Sequence, residues 1–419
     1  MTRMLAIAAL ILALSSLGFG QTPNTEPAQP LEADQISTAP NELLFRALKA
    51  GNEAVAAKRY DEAIQYYDQG LAIAPKEPAF LINKSAAILL RGVASYNAAL
   101  KSRDEADKAA MIRASHRDLR EASDLASQVV GSLNTLRPVT SPEETAKRRA
   151  LRLMALRTRA EALRVLVTTV DPTQAVFAVA AYREFLDAET DPARKVKDQL
   201  LYGRLLLVTN ADDTAAREFQ KILADDPQNI EALLGAGLSL INVGYSMNIP
   251  VKLQKGLDYL QQFIEIAPET NRLKASAEAA LNYLKQEQQA KANKATGVVA
   301  IGPVGESNGP QTDSGLPSAK RLPDGVVVNG KVISKPPPAY PPIAKAARAS
   351  GTVTVQIIVD EEGKVISAHA VSGHPLLQAA AVAAAREAKF TTTTLGDRPV
   401  KVSGAISYNF VLRREAVDY

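Results

Sequence analysis

In "ALKAGNEAVAAKRYDEAIQYYDQGLAIAP" the small residue Gly51 is followed by Ala63, Tyr67 and Pro75, in steps of twelve, four and eight. The same steps lead from Gly203 to Ala215, Phe219 and Pro227 in "YGRLLLVTNADDTAAREFQKILADDP". Gly70 and Ile222 stand at matching places between the aromatic and the proline. A spacing kept at two distant points of one chain marks a repeated structural unit. Helical periodicity runs from about Asn41 to about Ala292, so that unit is a pair of antiparallel helices. Small residues on facing helices let the backbones approach, the aromatic fills the gap, and the proline stops the second helix.

Gly51, Ala63, Tyr67 and Pro75, and again Gly203, Ala215, Phe219 and Pro227, are therefore the expected repeat-packing residues. This pattern resembles the tetratricopeptide repeat. A third copy is expected at Gly237, Gly256, Leu260, Phe263 and Pro268, stretched by seven residues between its helices. From Val93 to Asp187 the pattern is helical but irregular, and a generic helical bundle is the alternative to a repeat array. The resemblance implies a peptide or protein ligand along the array. The charge-rich "RRALRLMALRTR" reads as a solvated helix face rather than a docking surface.

The amino terminus sets the expected compartment. Arg3, the apolar run Met4 to Leu17 and Gly18-Phe19-Gly20 have the layout of a secretory signal over residues 1–20. A run of that length is short beside the ~20 residues that span a bilayer. Export to a bacterial periplasm is expected, with an inner-membrane anchor facing the periplasm as the alternative. Residues 21–40, with four prolines, read as a flexible leader. The chain has no cysteine, which excludes disulfides, thiol catalysis and cysteine-ligated metals. A net charge of +4 spread over 419 residues does not argue for nucleic acid.

Composition changes at residue 293. Glycine, proline and serine without helical period make 293–322 a linker, and 323–419 read as a small α+β module. Asn329-Gly330 suits a hairpin turn, and "PIAKAARAS" a short helix. "TVTVQIIVD" alternates with Val353, Val355, Ile357 and Val359 on one face, and "KVISAHAV" returns after "DEEG". "PLLQAAAVAAAREAKF" is a helix able to lie close on a sheet, and "VKVSGAISYNFVL" alternates from Val400 to Leu412. The expected product is an antiparallel sheet with one face covered by two helices.

"YPPIAKAARASGTVTVQIIVDEEGKV", "SGHPLLQAAAVAAAREAKF" and "VSGAISYNF" together resemble the TonB C-terminal domain family. The fold class is thus multidomain: an all-α tetratricopeptide-like array followed by a TonB-like α+β domain. The resemblance implies contact with an outer-membrane TonB-dependent receptor, made by pairing the last strand with an extended segment of that partner. Another envelope protein, or a second copy joined through the sheet as a homodimer, is the alternative. Candidate partner-binding residues are Ser403, Ala405, Ser407 and Asn409 on the strand, and Tyr340, Pro341 and Pro342 ahead of it. Two features depart from the family's energy transducers. No histidine lies between Met4 and Leu17, and no long proline-rich spacer precedes the domain.

Catalysis has little to stand on. His116, His369 and His374 are the three histidines, and His374 before Pro375 reads as a helix start. No phosphate-cradling loop, HExxH or GxSxG occurs. A non-enzymatic envelope binding protein without cofactor or metal is expected. Its rival is a repeat scaffold for envelope assembly whose C-terminal domain only anchors or dimerises. If the signal is cleaved, mass spectrometry of the exported protein will find Gln21 at the amino terminus; an intact Met1 in the membrane fraction would establish the anchored form.

Overall fold

The computed structural model describes residues 40–169, 171–295, 331–395 and 398–412. The expected signal, most of the leader, the Asn329-Gly330 turn and nearly all of the linker lie outside the described residues. The chain divides into two compact units between Thr209 and Asn210.

The first unit is a succession of helices: α1 (Pro40–Ala56), α2 (Tyr60–Ile73), α3 (Pro78–Ala99), α4 (Glu105–Thr135), α5 (Pro142–Thr169), α6 (Ala175–Ala188) and α7 (Pro192–Val208). Proline opens four of them, where its missing N–H costs nothing and its φ is already helical. Asp104 and Asp191 cap α4 and α7 by accepting from backbone N–H groups of the first turn. Each helix packs against the next.

Tyr67 meets Gly51, and Ala63 is buried. Tyr67 is fully buried, its hydroxyl donates to Asn52 Oδ1 (2.8 Å), and its ring fills the space that a Cβ on Gly51 would take. Gly70 makes the same room for the Phe80 ring of α3. Pro75 lies exposed just past the end of α2. Arg91 of α3 then ties α2 to α4: it holds the buried Asp118 through two bonds of 2.8 Å and Asp61 at 2.7 Å.

The charge-rich segment of α5 departs from expectation. Its arginines face inward as much as outward. Arg157, with its side chain 15% exposed, donates to Asp198 (2.5 Å) and Glu189 (3.4 Å) and lies over the Phe185 ring. Arg159 reaches Glu184. Neither a solvated face nor a docking surface describes this helix, because α6 and α7 supply the carboxylates it needs.

The second unit opens with α8 (Asp212–Asp225), α9 (Ile230–Ser246), α10 (Pro250–Ile266) and α11 (Lys274–Ala295). Ala215 and Phe219 are buried here, and Pro227 is exposed beyond α8. Gly203 is buried in the first unit, and the ring of Phe219 presses on Gly235 of α9. The third expected copy is tightly packed. A Cβ on Gly256 would lie 2.7 Å from Ile241 N and 2.9 Å from Gly237 O, while Leu260 and Phe263 are fully buried.

The same unit includes the α+β module. Its sheet runs β3 (Val365–Ser372), β2 (Gly351–Val359), β7 (Val402–Phe410), all antiparallel, with β2 central. Val353, Val355, Ile357 and Val359 are buried on one face with Ile406, Tyr408 and Phe410. Helix α13 (Pro375–Arg386) covers that face, and the short α12 (Pro342–Ala346) packs on α13 and α11. Asp360 Oδ1 accepts from the N–H groups of Glu362 and Lys364, and Gly363 at φ +85° completes the "DEEG" turn. The described partner of β1 (Val332–Ser334) is β4 (Lys389–Phe390). The last strand starts at Val402, not Val400. Ahead of it, β5 (Thr394–Leu395) and β6 (Arg398–Pro399) pair with each other, and Val400 N donates to Thr393 O.

Two glycines separate propensity from packing. Gly131 is exposed on α4 with nothing within 4 Å of an added Cβ, so Gly131→Ala should stabilise by roughly 1 kcal/mol. At Gly256 the same gain is opposed by backbone contact that forces α9 and α10 apart, a cost of about 1–3 kcal/mol. Urea unfolding should therefore rank Gly131→Ala above and Gly256→Ala below the parent.

Candidate functional site

Strand β7 lies at one side of the sheet, bonded to β2 alone among the described residues. Ser403, Ala405, Ser407 and Asn409 share its exposed face, opposite Ile358, Gln356, Thr354 and Thr352. The structure thus brings these four candidates together. The outer side of the strand is marked by Lys335, whose ammonium donates to Ser407 O (2.8 Å) and lies 5.0 Å from the centre of the Tyr408 ring. A carbonyl that accepts from this side points away from β2. The N–H of the same strand residue points the same way. Ser407 therefore offers both backbone groups to the edge.

Tyr340 stands apart from the four. Its hydroxyl donates to Ala349 O, its ring meets Phe410 edge-on at 5.5 Å, and burial raises its pKa. Pro341 is the N-cap of α12 and Pro342 its first residue. These three residues anchor the start of the helix against the end of β7.

Sequence reasoning did not anticipate a second cluster, where the module meets the helices of its own unit. His374 is buried as the N-cap of α13, the helix start expected of it. Its Nδ1 accepts from Leu376 N, which leaves the proton on Nε2, and that N–H donates to Asn242 Oδ1 (3.2 Å). The Asn242 amide donates to Asp212 Oδ1 (2.8 Å) and Ala347 O (2.9 Å). Tyr245 packs edge-on against the imidazole at 5.0 Å. From α11, Ser276 Oγ accepts from Ile343 N (3.2 Å) and Tyr283 Oη from Ala370 N (3.0 Å). Burial pushes the Tyr283 hydroxyl up to about 12 and His374 down to about 4. The one signal in the sequence was a polar residue, Asn242, within the apolar run of α9.

In the first unit, burial raises Glu161, but Arg164, the Tyr182 hydroxyl and Arg157 outweigh it and leave the carboxyl below its usual range. Asp198 is pushed up to about 6 by burial, against the pull of Arg157. A hollow over α4 is lined by Arg113, His116, Arg117, Arg120 and further residues of that one helix, so it is an open face, not a cleft. Among the described residues no three histidine or carboxylate groups are placed to hold a metal, and no helix is long and apolar enough to cross a membrane.

Residues 336–412 match the family described as the Gram-negative bacterial TonB protein C-terminal. The chain is also 39% identical over 79 residues to the heat-shock protein cognate co-chaperone sgt12 of Aspergillus fumigatus. That stretch is 17% of this chain and 23% of the fungal protein, so the chain spans about a quarter of the relative it matches. No solved structure matches the chain.

The buried imidazole predicts a pH dependence. Its native pKa of about 4 lies below the ordinary 6.5, so the neutral form is favoured by folding. The stability it contributes is complete above pH 6.5 and is lost as pH falls towards 4, by about 3 kcal/mol. Asparagine can cap the same helix without titrating. Between pH 7 and 4 the parent should lose about 3 kcal/mol more than His374→Asn in denaturant titrations; parallel losses would show that His374 titrates normally.

Proposed function

We propose that this chain, which ends in a domain of the TonB C-terminal family, is a non-enzymatic adaptor of the bacterial cell envelope. Its β7 edge accepts an extended segment of an outer-membrane transporter as an added strand, and its helices bind a protein partner. Export follows from residues 1–20, and the parts are a leader (21–40), a tetratricopeptide-like array (41–292), a linker (293–322) and the C-terminal domain (323–419). The observation that carries this reading is the place of β7 at the sheet edge, with the Ser407 carbonyl reached from the outer side. Backbone pairing along such an edge supplies affinity, and the exposed Ser403, Ala405, Ser407 and Asn409 supply selectivity. The likeness over 79 residues to a co-chaperone is in keeping with a protein ligand.

Proline at an outward-facing strand position removes an edge donor but leaves the ladder to the inner neighbour intact. Ser407→Pro should therefore fold, by circular dichroism and melting, yet lose binding of peptides copied from the TonB-box segments of outer-membrane transporters. Ser407→Thr, which keeps the N–H, should bind as the parent does. A folded Ser407→Pro with normal affinity would exclude addition at β7. Self-association of the parent with no peptide binding would favour the scaffold reading.

A further inference from the structure

A three-stranded sheet has two edges, and the helices of the same unit meet one of them. The N–H of Ala370 in β3 donates to the Tyr283 hydroxyl of α11. Next to it, Asn242 of α9 joins the His374 N–H and the Ala347 carbonyl, while Ser276 of α11 takes the Ile343 N–H. These contacts reach α12, β3 and the start of α13. The described contact on the outer side of β7 comes from Lys335, a residue of the module itself.

We infer that helices α9 and α11 are a docking partner for the C-terminal module, and that this docking decides which sheet edge another chain can reach. Docked, the β3 edge is engaged by α11 at Ala370, through the Tyr283 hydroxyl, and β7 is presented. Released, the module offers β3 as well, and a second copy of the same module can pair with it, since an unpaired strand edge is a template for another strand. The junction is suited to this use. Beside the packing of α11 on α13, it relies on directional hydrogen bonds to a handful of groups. Interfaces between domains of one chain are more polar than obligate ones. Asn242 is its centre, because its amide uses both donors and its oxygen accepts the imidazole proton. Removing it leaves two buried groups of the module, the His374 N–H and the Ala347 carbonyl, without partners.

The test cuts the covalent connection and asks whether the contact holds. A site for a sequence-specific protease is placed between Asn308 and Gly309 of the full-length protein, and the cleaved product is run on size exclusion. The two pieces are expected to elute together, and in Asn242→Leu to separate, each still folded by circular dichroism. The freed module is expected to self-associate with rising concentration. Tyr283→Phe removes one hydroxyl and no apolar surface. Its uncut chain should exchange the Ala370 amide at least about tenfold faster than the parent. Parent pieces that part on cleavage would overturn the inference. So would Asn242→Leu pieces that stay together with Ala370 exchange unchanged in Tyr283→Phe.

Discussion

The hydrogen bond between Asn242 and His374 joins residues 132 positions apart and ties α9 to the start of α13. Asn242 lies mid-helix on α9, where its neighbours Ile241 and Val243 are buried. A half-buried amide there costs free energy unless its donors and its acceptor are used. All are used, by Asp212, Ala347 and His374, so each of those groups fixes the position of the next. Burial raises the Asp212 carboxyl and the bond from Asn242 draws it back. An apolar residue in place of Asn242 would pack as well against α8 but would say nothing about where α12 and α13 belong.

Much of the module was legible because its strands are buried on one side only. Alternation then has one physical cause, and Val353 to Val359 on β2 and Ile406 to Phe410 on β7 fall on the expected face. Spacing worked for Gly51 and Tyr67 because the contact is local, between consecutive helices. It did not foresee where Phe219 packs: the ring lies on Gly235 of the next helix, a contact that period alone does not rank above others. The Asn242 junction was not legible, since its bonds span 30, 105 and 132 residues and involve types that are ordinary on a helix surface.

The arginines of α5 show a different limit. A helix with charge on every side has no apolar stripe to assign its inner face. What turns Arg157 inward is Asp198, 41 residues further on, and Glu189, both almost completely buried. Burial pushes the Asp198 carboxyl up, and the guanidinium opposes this. Neither partner is stable there without the other, because an unpaired buried charge costs several kcal/mol. The pair therefore specifies how α5, α6 and α7 pack without adding much net stability.

The two edges of the sheet differ in the same way. At β3 the capping hydroxyl belongs to Tyr283, which is half-buried and part of a junction that includes Ser276, Asn242 and His374. Opening that edge means disturbing bonds that position α12 and α13. At β7 the capping group is the ammonium of an exposed lysine on a flexible stem. An exposed lysine exchanges its acceptor for water at little cost, so its contact with Ser407 yields readily to a strand that brings an N–H of its own. The Tyr408 ring lies beneath the lysine, its centre 5.0 Å from the ammonium. The sheet is thus met on one side by a hydroxyl that belongs to a network of buried groups and on the other by a single exposed ammonium.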